Sequence, residues 1–423
     1  MYNLYVFIVF ILVYSLIVVR KIKSVTIPSW LAMLIGAAIM LAMQSISIEE
    51  AYASIEFDVI LFLLGMFIVV SAVEVSGLLH KITVRILKYA KSIDRLILFI
   101  LVVMGTLSAF LMNDTIALVA TPILLSIART GMNAKPLLIT LAFAVTIGST
   151  MTPIGNPQNY LIAVESGMKA PMIEFLKYLT LPTVVNYIVT YIIVRAYFRR
   201  HLNVGLPYNY DDGYGLDTVK VDDRLAGICK VVVSLMIITF FIVNVGEALG
   251  YNMHIDMAHI AVAAALVLLV LTSKRFTILR NVNYGIIVLF IAMFIFMHAL
   301  AKTSFIDTIS SYLLTTDDTL LNIVSASIIL SQFMSNVPFV AFYTNVMHAN
   351  GLGSENIKEW ITLAGASTLA GNLTILGAAS NLIILEEASK RRYSFTFLEF
   401  FKVGSIVTAA NIAVLLSFIT IIP

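Results

Sequence analysis

The stretch STMTPIGNPQNYLI, Ser149 to Ile162, interrupts a chain that on both sides is mostly Leu, Ile, Val, Ala and Phe. Pro, Gly, Asn, Pro, Gln and Asn crowded together cannot continue an apolar helix. In a bilayer, a broken helix leaves N–H and C=O groups without partners, and each is costly unless protein, water or a solute satisfies it. The break is therefore a candidate binding site set inside a membrane span.

Composition agrees. The chain is 60% hydrophobic and 12% charged, about half the charge of an ordinary soluble domain, so an all-α integral membrane protein is expected. The run Leu4 to Val19 is followed by Arg20, Lys21 and Lys23 rather than by a small-residue cleavage pattern, and reads as a retained span. The single cysteine, Cys229, excludes an internal disulfide and a cysteine-based metal cluster. No Walker motif is present, which argues against direct ATP drive.

Apolar runs long enough to cross a bilayer predict about ten spans, at 2–19, 27–43, 58–79, 136–165 (broken), 173–198, 230–250, 257–273, 284–302, 357–388 (broken) and 397–422. Two segments, 96–129 and 320–349, instead hold two shorter arms around the polar kinks MNDT (Met112 to Thr115) and SNVP (Ser335 to Pro338), and are expected to be re-entrant hairpins. Lys and Arg concentrate after the first span, around Lys81 to Arg95, at Arg129 and Lys135, and at Arg195 to Arg200, Lys274 to Arg280 and Lys390 to Arg392. The positive-inside rule places these loops in the cytoplasm and the N-terminus outside, in a cell-membrane protein. Residues 199–229 become a cytoplasmic linker; its Asp211–Asp212 and Asp222–Asp223 pairs read as solvated acids rather than as a divalent-cation site.

With this orientation the first hairpin enters from the cytoplasm and the second from outside, so residues 1–198 and 230–423 form two inverted-topology repeats. LSAFLMND (Leu107 to Asp114) aligns with LSQFMSNV (Leu330 to Val337), and TPIGNPQNYLI with TILGAASNLII, which sets Thr152, Gly155 and Asn159 on Thr374, Gly377 and Asn381. ILFLLGMFI (Ile60 to Ile68) resembles IVLFIAMFI (Ile287 to Ile295). The polar break occurs twice because a pseudo-two-fold axis builds one central site from two hairpin tips and two broken helices. The predicted site comprises Asn113, Asp114, Thr115, Thr152, Gly155, Asn156 and Asn159 from the first half, and Ser335, Asn336, Thr374, Gly377 and Asn381 from the second. Thr and Asn offer neutral ligands, helix N-termini offer positive dipole ends for an anionic or polar solute, and unwound carbonyls offer a place for Na⁺.

These residues resemble a known group. NDTIALVATPI after an apolar arm, NVP in the second hairpin and TPIGNPQN in the broken helix are similar to the ion transporter superfamily of arsenite permeases, citrate and dicarboxylate carriers and NhaD-type sodium/proton antiporters. The first tip, Asn113–Asp114–Thr115 followed by Thr121–Pro122, is closest to the arsenite permease pattern. The sodium-coupled dicarboxylate carriers have Ser-Asn-Thr at both tips, whereas here the tips read Asn-Asp-Thr and Ser-Asn-Val. The resemblance implies a secondary transporter of a small anion or oxyacid, coupled to H⁺ or Na⁺ and without another cofactor, whose hairpins and broken helices carry the solute by rocking or elevator-like motion. A sodium/proton antiporter and a sodium-coupled carboxylate carrier are the alternatives. An intramembrane enzyme would need a second catalytic group, so the chain is expected not to be one. The expected partners are the bilayer, the small solute and, optionally, a second copy in a homodimer; nothing points to nucleic acid.

Asp114 is the acidic side chain this topology places near the bilayer middle, and its repeat mate is Val337. An ionised carboxylate there is costly, so Asp114 should carry a proton, bind a cation or meet water, each of which suits coupling; the plainer reading is a helix cap. Glu74, Glu165, Glu386 and Glu387 near span ends read as interfacial, His298 and His348 as isolated, Arg129 as snorkelling, and Trp30 and Trp360 as interfacial anchors.

Overall fold

The computed structural model describes residues 2–19, 21–22, 25–87, 89–90, 92–128, 133–199, 221–251, 255–303 and 318–422. Among them the chain is almost wholly helical. A two-residue ladder, Lys21–Ile22 with Val25–Thr26, supplies the strand content. The first half runs α1 (Tyr2–Val19), α2 (Ser29–Ala42), α3 (Ile48–Ala53), α4 (Phe57–Val75), α5 (Leu78–Leu87), α6 (Ile93–Leu111), α7 (Asn113–Ala128), α8 (Lys135–Ser149), α9 (Pro157–Glu165) and α10 (Pro171–Tyr197). The second runs α11 (Asp223–Ala248), α12 (Met257–Leu271), α13 (Arg275–Asn281), α14 (Tyr284–Ala301), α15 (Thr319–Met334), α16 (Asn336–Ala349), α17 (Ile357–Ala370), α18 (Ala379–Lys390) and α19 (Phe397–Ile421).

Six of these helices, α4, α6, α10, α11, α14 and α19, are long and apolar enough to cross a membrane. The shorter ones are short for identifiable reasons. A break containing Pro153 divides α8 from α9, a turn at Ser335 divides α15 from α16, and an unwound stretch with a single 3-10 turn, Ile375–Gly377, divides α17 from α18. The first hairpin arm is longer than a re-entrant arm requires: it begins at Ile93, where Ser92 caps it by accepting from Arg95 N at 3.3 Å, and absorbs a π-turn over Ile100–Met104. Both hairpins turn on a buried or half-buried non-glycine residue with positive φ, Met112 at 64° and Ser335 at 65°. L-residues rarely take that conformation, and holding one there costs about 1–3 kcal/mol.

The halves interlock. α2 packs along α14, and α4 along α12, so each half presents its scaffold helices to the other. α10 and α19 pack along each other, where Asn186 Nδ2 donates to Asn411 O (3.4 Å) and Thr190 Oγ1 to Asn411 Oδ1 (3.3 Å). The broken helices sit inside this frame, and α8 and α17 are buried along nearly their whole length.

Of the expected linker, residues 200–220 lie outside the described residues, as do Arg129 and Asp211–Asp212. The helix that follows starts at Asp223, earlier than 230. Asp222 ends that linker by accepting from Leu225 N (3.0 Å) and pairing with Lys274 (2.9 Å), while Asp223 pairs with Lys81 (2.8 Å). Both acids are ion-paired, and the Asp223 side chain remains exposed to solvent. Among the described residues no three of His, Cys, Asp and Glu gather as metal ligands would.

Candidate functional site

The first break is held by its own polar residues. Asn159 Nδ2 reaches back to the carbonyls of Ser149 (3.0 Å) and Thr150 (3.3 Å), which the broken helix leaves without backbone N–H partners, and to that of Thr152 (3.0 Å), which also accepts from Gly155 N at 3.4 Å. Asn156 caps α9 by accepting from Asn159 N at 2.9 Å. Thr152 Oγ1 donates to Ala109 O of the first hairpin arm, and the hairpin tip answers with Asn113 N donating to Gly155 O at 3.0 Å. Break and hairpin tip are thus one hydrogen-bonded unit.

The second break repeats the construction at the aligned positions. Asn381 Nδ2 donates to Gly371 O (2.8 Å) and Thr374 O (3.2 Å), as Asn159 does to Ser149 and Thr152. Thr374 Oγ1 donates to Gln332 Oε1 (2.9 Å) on the hairpin arm, at the position that aligns with Ala109. The Asn336 amide, oriented to satisfy its neighbours, donates to Gly377 O (2.8 Å) and Ser367 O (3.2 Å). The two units are joined through Thr368, whose hydroxyl meets the Asn156 (3.3 Å) and Gln158 (3.4 Å) amides and donates to Asn159 Oδ1 (3.2 Å).

Between the units lies a cavity of about 360 Å³, in the size range of small-molecule sites. Its floor is made by the tips, Asn113, Asp114, Ser335 and Asn336, and by the restarting helices at Pro157, Gln158, Ala378 and Ala379. Four helix N-termini, those of α7, α9, α16 and α18, therefore meet at one place, each bringing the positive end of a dipole. The walls are Ser29 and Trp30 at the start of α2, Asn283 to Leu289 at the start of α14, and Leu382, Ile383 and Glu386 along α18. From Ala379 at the floor to Glu386 the helix rises about 10 Å, so Glu386, which is exposed, stands at the mouth.

Of the predicted site residues, Asn113, Asp114, Ser335 and Asn336 line this cavity; Thr115, Thr152, Gly155, Asn156, Asn159, Thr374, Gly377 and Asn381 do not. Most of the latter set hold the breaks in shape, because a buried unwound carbonyl needs a donor before any solute arrives. The Asp114 carboxylate has no hydrogen bond or ion pair within the described protein, and the N–H of its own residue is taken by Asn113 Oδ1 at 2.9 Å. It faces the cavity instead of serving as a cap.

Several sequence expectations change. Trp360 is fully buried, not interfacial, with Nε1 donating to Gly353 O at 3.0 Å. Trp30 lines the cavity, and so does Glu386; the signal for the latter was its helical spacing from Ala379 and Leu382. His348 is not isolated, since its Nε2 lies 3.3 Å from Glu165 Oε2 and its ring 5.2 Å from that of Trp360. Gln158 and Asn283 are lining residues that sequence reasoning passed over. Also missed was a further stretch of internal similarity, IEFLKYLTLPTVVN (Ile173 to Asn186) with LEFFKVGSIVTAAN (Leu398 to Asn411), which pairs Asn186 with Asn411, the two residues that meet where α10 and α19 pack.

Residues 5–370 match the citrate transporter family, CitMHS, which is most of the chain and includes both hairpins and the first break. The chain belongs to the citrate transporter family. Relatives of this family member include a 46 kDa membrane protein of Mycobacterium leprae, 29% identical over 96% of this chain and 95% of the relative. The silicon efflux transporter LSI3 of Oryza sativa subsp. japonica is 26% identical over 86% of each chain. A putative transporter, arsB, of Dictyostelium discoideum is 22% identical over 88% and 83%. The crystal structure of the YdaH transporter of Alcanivorax borkumensis superposes with a TM-score of 0.57 over 97% of each chain at 12% identity, a likeness of fold. The family member is a multi-pass membrane protein and a secondary transporter of the citrate transporter and arsenite permease type.

Proposed function

We propose that the cavity between the hairpin tips is the solute site, that it exposes its solute to one face at a time, and that its solute is a small neutral or singly charged oxyacid moved with proton or sodium coupling at Asp114. The observation that carries this reading is the chemistry of the lining. Among the described residues Asp114 and Glu386 are its only charged members, and neither Lys nor Arg is among them. Four helix N-termini and the amides of Asn113, Gln158 and Asn336 suit the polarised oxygens of a hydroxylated acid. A di- or tricarboxylate would have to be held beside Asp114 without a cationic partner, at a cost in desolvation and repulsion. The silicon efflux relative supports the same solute chemistry; the family's description favours a carboxylate, the second reading.

The mouth is formed by the starts of α2 and α14 and the far end of α18, all next to the basic stretches that the positive-inside rule puts in the cytoplasm. The state described is then open inward, and the inverted repeat supplies the opposite one. Reconstituted in proteoliposomes, the protein should move silicic or arsenous acid saturably, with flux that responds to an imposed proton or sodium gradient. Saturable citrate transport that ignores both gradients, with no oxyacid flux, would overturn the assignment.

A further inference from the structure

We propose that Phe62 and Tyr160 form the gate that seals the face opposite the cavity mouth, and that Leu289 and Leu382 close on each other when that gate opens. This rests on the reading of two related halves that alternate access. Leu289 of α14 and Leu382 of α18 both line the open cavity. The alignments of Ile60–Ile68 with Ile287–Ile295, and of the two breaks, set Phe62 on Leu289 and Tyr160 on Leu382. At those counterpart positions the two side chains are packed against each other. The Phe62 and Tyr160 rings are stacked, with centroids 3.6 Å apart and planes at 13°, and the residues are 0% and 2% exposed.

Their place in the pathway fits a seal. Tyr160 follows Pro157 and Gln158 of the cavity floor by less than one helical turn, so the stack lies directly behind the floor. Beyond it is a smaller depression of about 150 Å³, lined by Tyr160 together with Asn244, Glu247, Asp256 and Met257. Farther along α9, Glu165 meets His348. Cavity, stacked pair and depression follow one another along α9. The same two positions thus line an open cavity in one half and stack on each other in the other, which is the asymmetry a two-fold-related pair needs to be open on one face and shut on the other. The side chains also differ between the gates. An aromatic stack gains more than its buried area alone, so the aromatic face is the one held shut at rest.

The test reads access without needing solute. In the full chain with Cys229→Ser, Gln158→Cys reports on the floor and Glu386→Cys on the mouth, each challenged in oriented vesicles with a charged, membrane-impermeant methanethiosulfonate from either face. Both reporters should label from the mouth face, and Gln158→Cys slowly from the other. Adding Tyr160→Leu should raise the latter rate roughly 2- to 10-fold, the range expected for losing one stacked pair. Tyr160→Phe, which keeps the stack, should leave it as in the parent. Leu289→Phe with Leu382→Tyr should slow labelling from the mouth face by a similar factor. Rates that ignore Tyr160→Leu and the paired aromatic variant alike, in protein that still labels from the mouth, would overturn the gate. If solute is moved while labelling ignores the variants, the gate falls and the transport reading stands. If the variants redirect labelling while no solute moves, the gate stands and the solute reading falls.

Discussion

Replacing Gly155 by alanine should damage the first break far more than Gly377→Ala damages the second, although the two glycines align. A Cβ on Gly155 would sit 2.3 Å from Ser149 O and 2.8 Å from Ser149 Cα, both backbone atoms that cannot rotate away. Relief requires the unwound segment to move by about 1 Å, a van der Waals contact being ordinary only beyond 3.4 Å. That shift stretches two bonds made at this spot, Asn113 N to Gly155 O at 3.0 Å and Asn159 Nδ2 to Ser149 O at 3.0 Å. Overpacking of a tight interior costs about 1–3 kcal/mol, and weakening two buried hydrogen bonds about 1–2 kcal/mol more, so a loss of about 2–5 kcal/mol is expected. A Cβ on Gly377 meets Gly371 Cα and O at 3.0 Å and otherwise Gln332 Oε1 at 2.9 Å, the end of a flexible side chain. Its cost should stay near 1–2 kcal/mol. Thermal unfolding of the purified proteins in one detergent, with solute flux measured alongside, separates the two. A Gly155→Ala protein that melts and transports like the parent, or a Gly377→Ala protein hurt more than it, would refute the argument from backbone contact.

Asp114→Asn keeps the size of the side chain and removes its titration, so folding should persist while accumulation against a gradient is lost; parent-like, pH-dependent accumulation would move the coupling site elsewhere on the cavity, with Glu386 the next carboxylate to replace. Thr368→Val removes the hydroxyl that joins the two breaks and strands the Asn159 Oδ1 acceptor, for a loss of about 1–3 kcal/mol that Thr368→Ser should largely restore in the same melting assay. Glu50 is held down to about 2 by its hydrogen bond to Lys302 and then by the Ser47 N–H. A depressed carboxylate stabilises the fold above its unfolded value of about 4.3 and loses that contribution as pH falls through the folded value. The small difference in melting temperature between Glu50→Gln and the parent should therefore be constant from pH 7 to 5 and vanish towards pH 2; a difference that grows on acidification would contradict the pairing.

The sequence by itself determined which segments leave water and where they break. Apolar runs placed most of the long helices to within a few residues, since a bilayer-length helix needs an unbroken stretch of apolar side chains and Pro, Gly and Asn interrupt it. The charged first turns of α11 and the short helices α3, α5 and α13 lie largely outside those runs. It also determined that the breaks come in pairs, because TPIGNPQN and TILGAASN share Thr, Gly and Asn at one spacing. The tertiary structure decided what those shared residues do. Asn159 and Asn381 lie where the Ser149 and Gly371 carbonyls are left without backbone donors, and only a fold that buries those carbonyls turns the amides into braces. Met112 and Ser335 carry the hairpin turns at positive φ without a glycine to announce it, because packing around the tips outweighs the local preference. Glu386 and Trp30 become cavity residues for a related reason. Their positions in sequence are those of ordinary helix ends, and only the approach of α2, α14 and α18 around the two tips gives those ends a shared cavity to face.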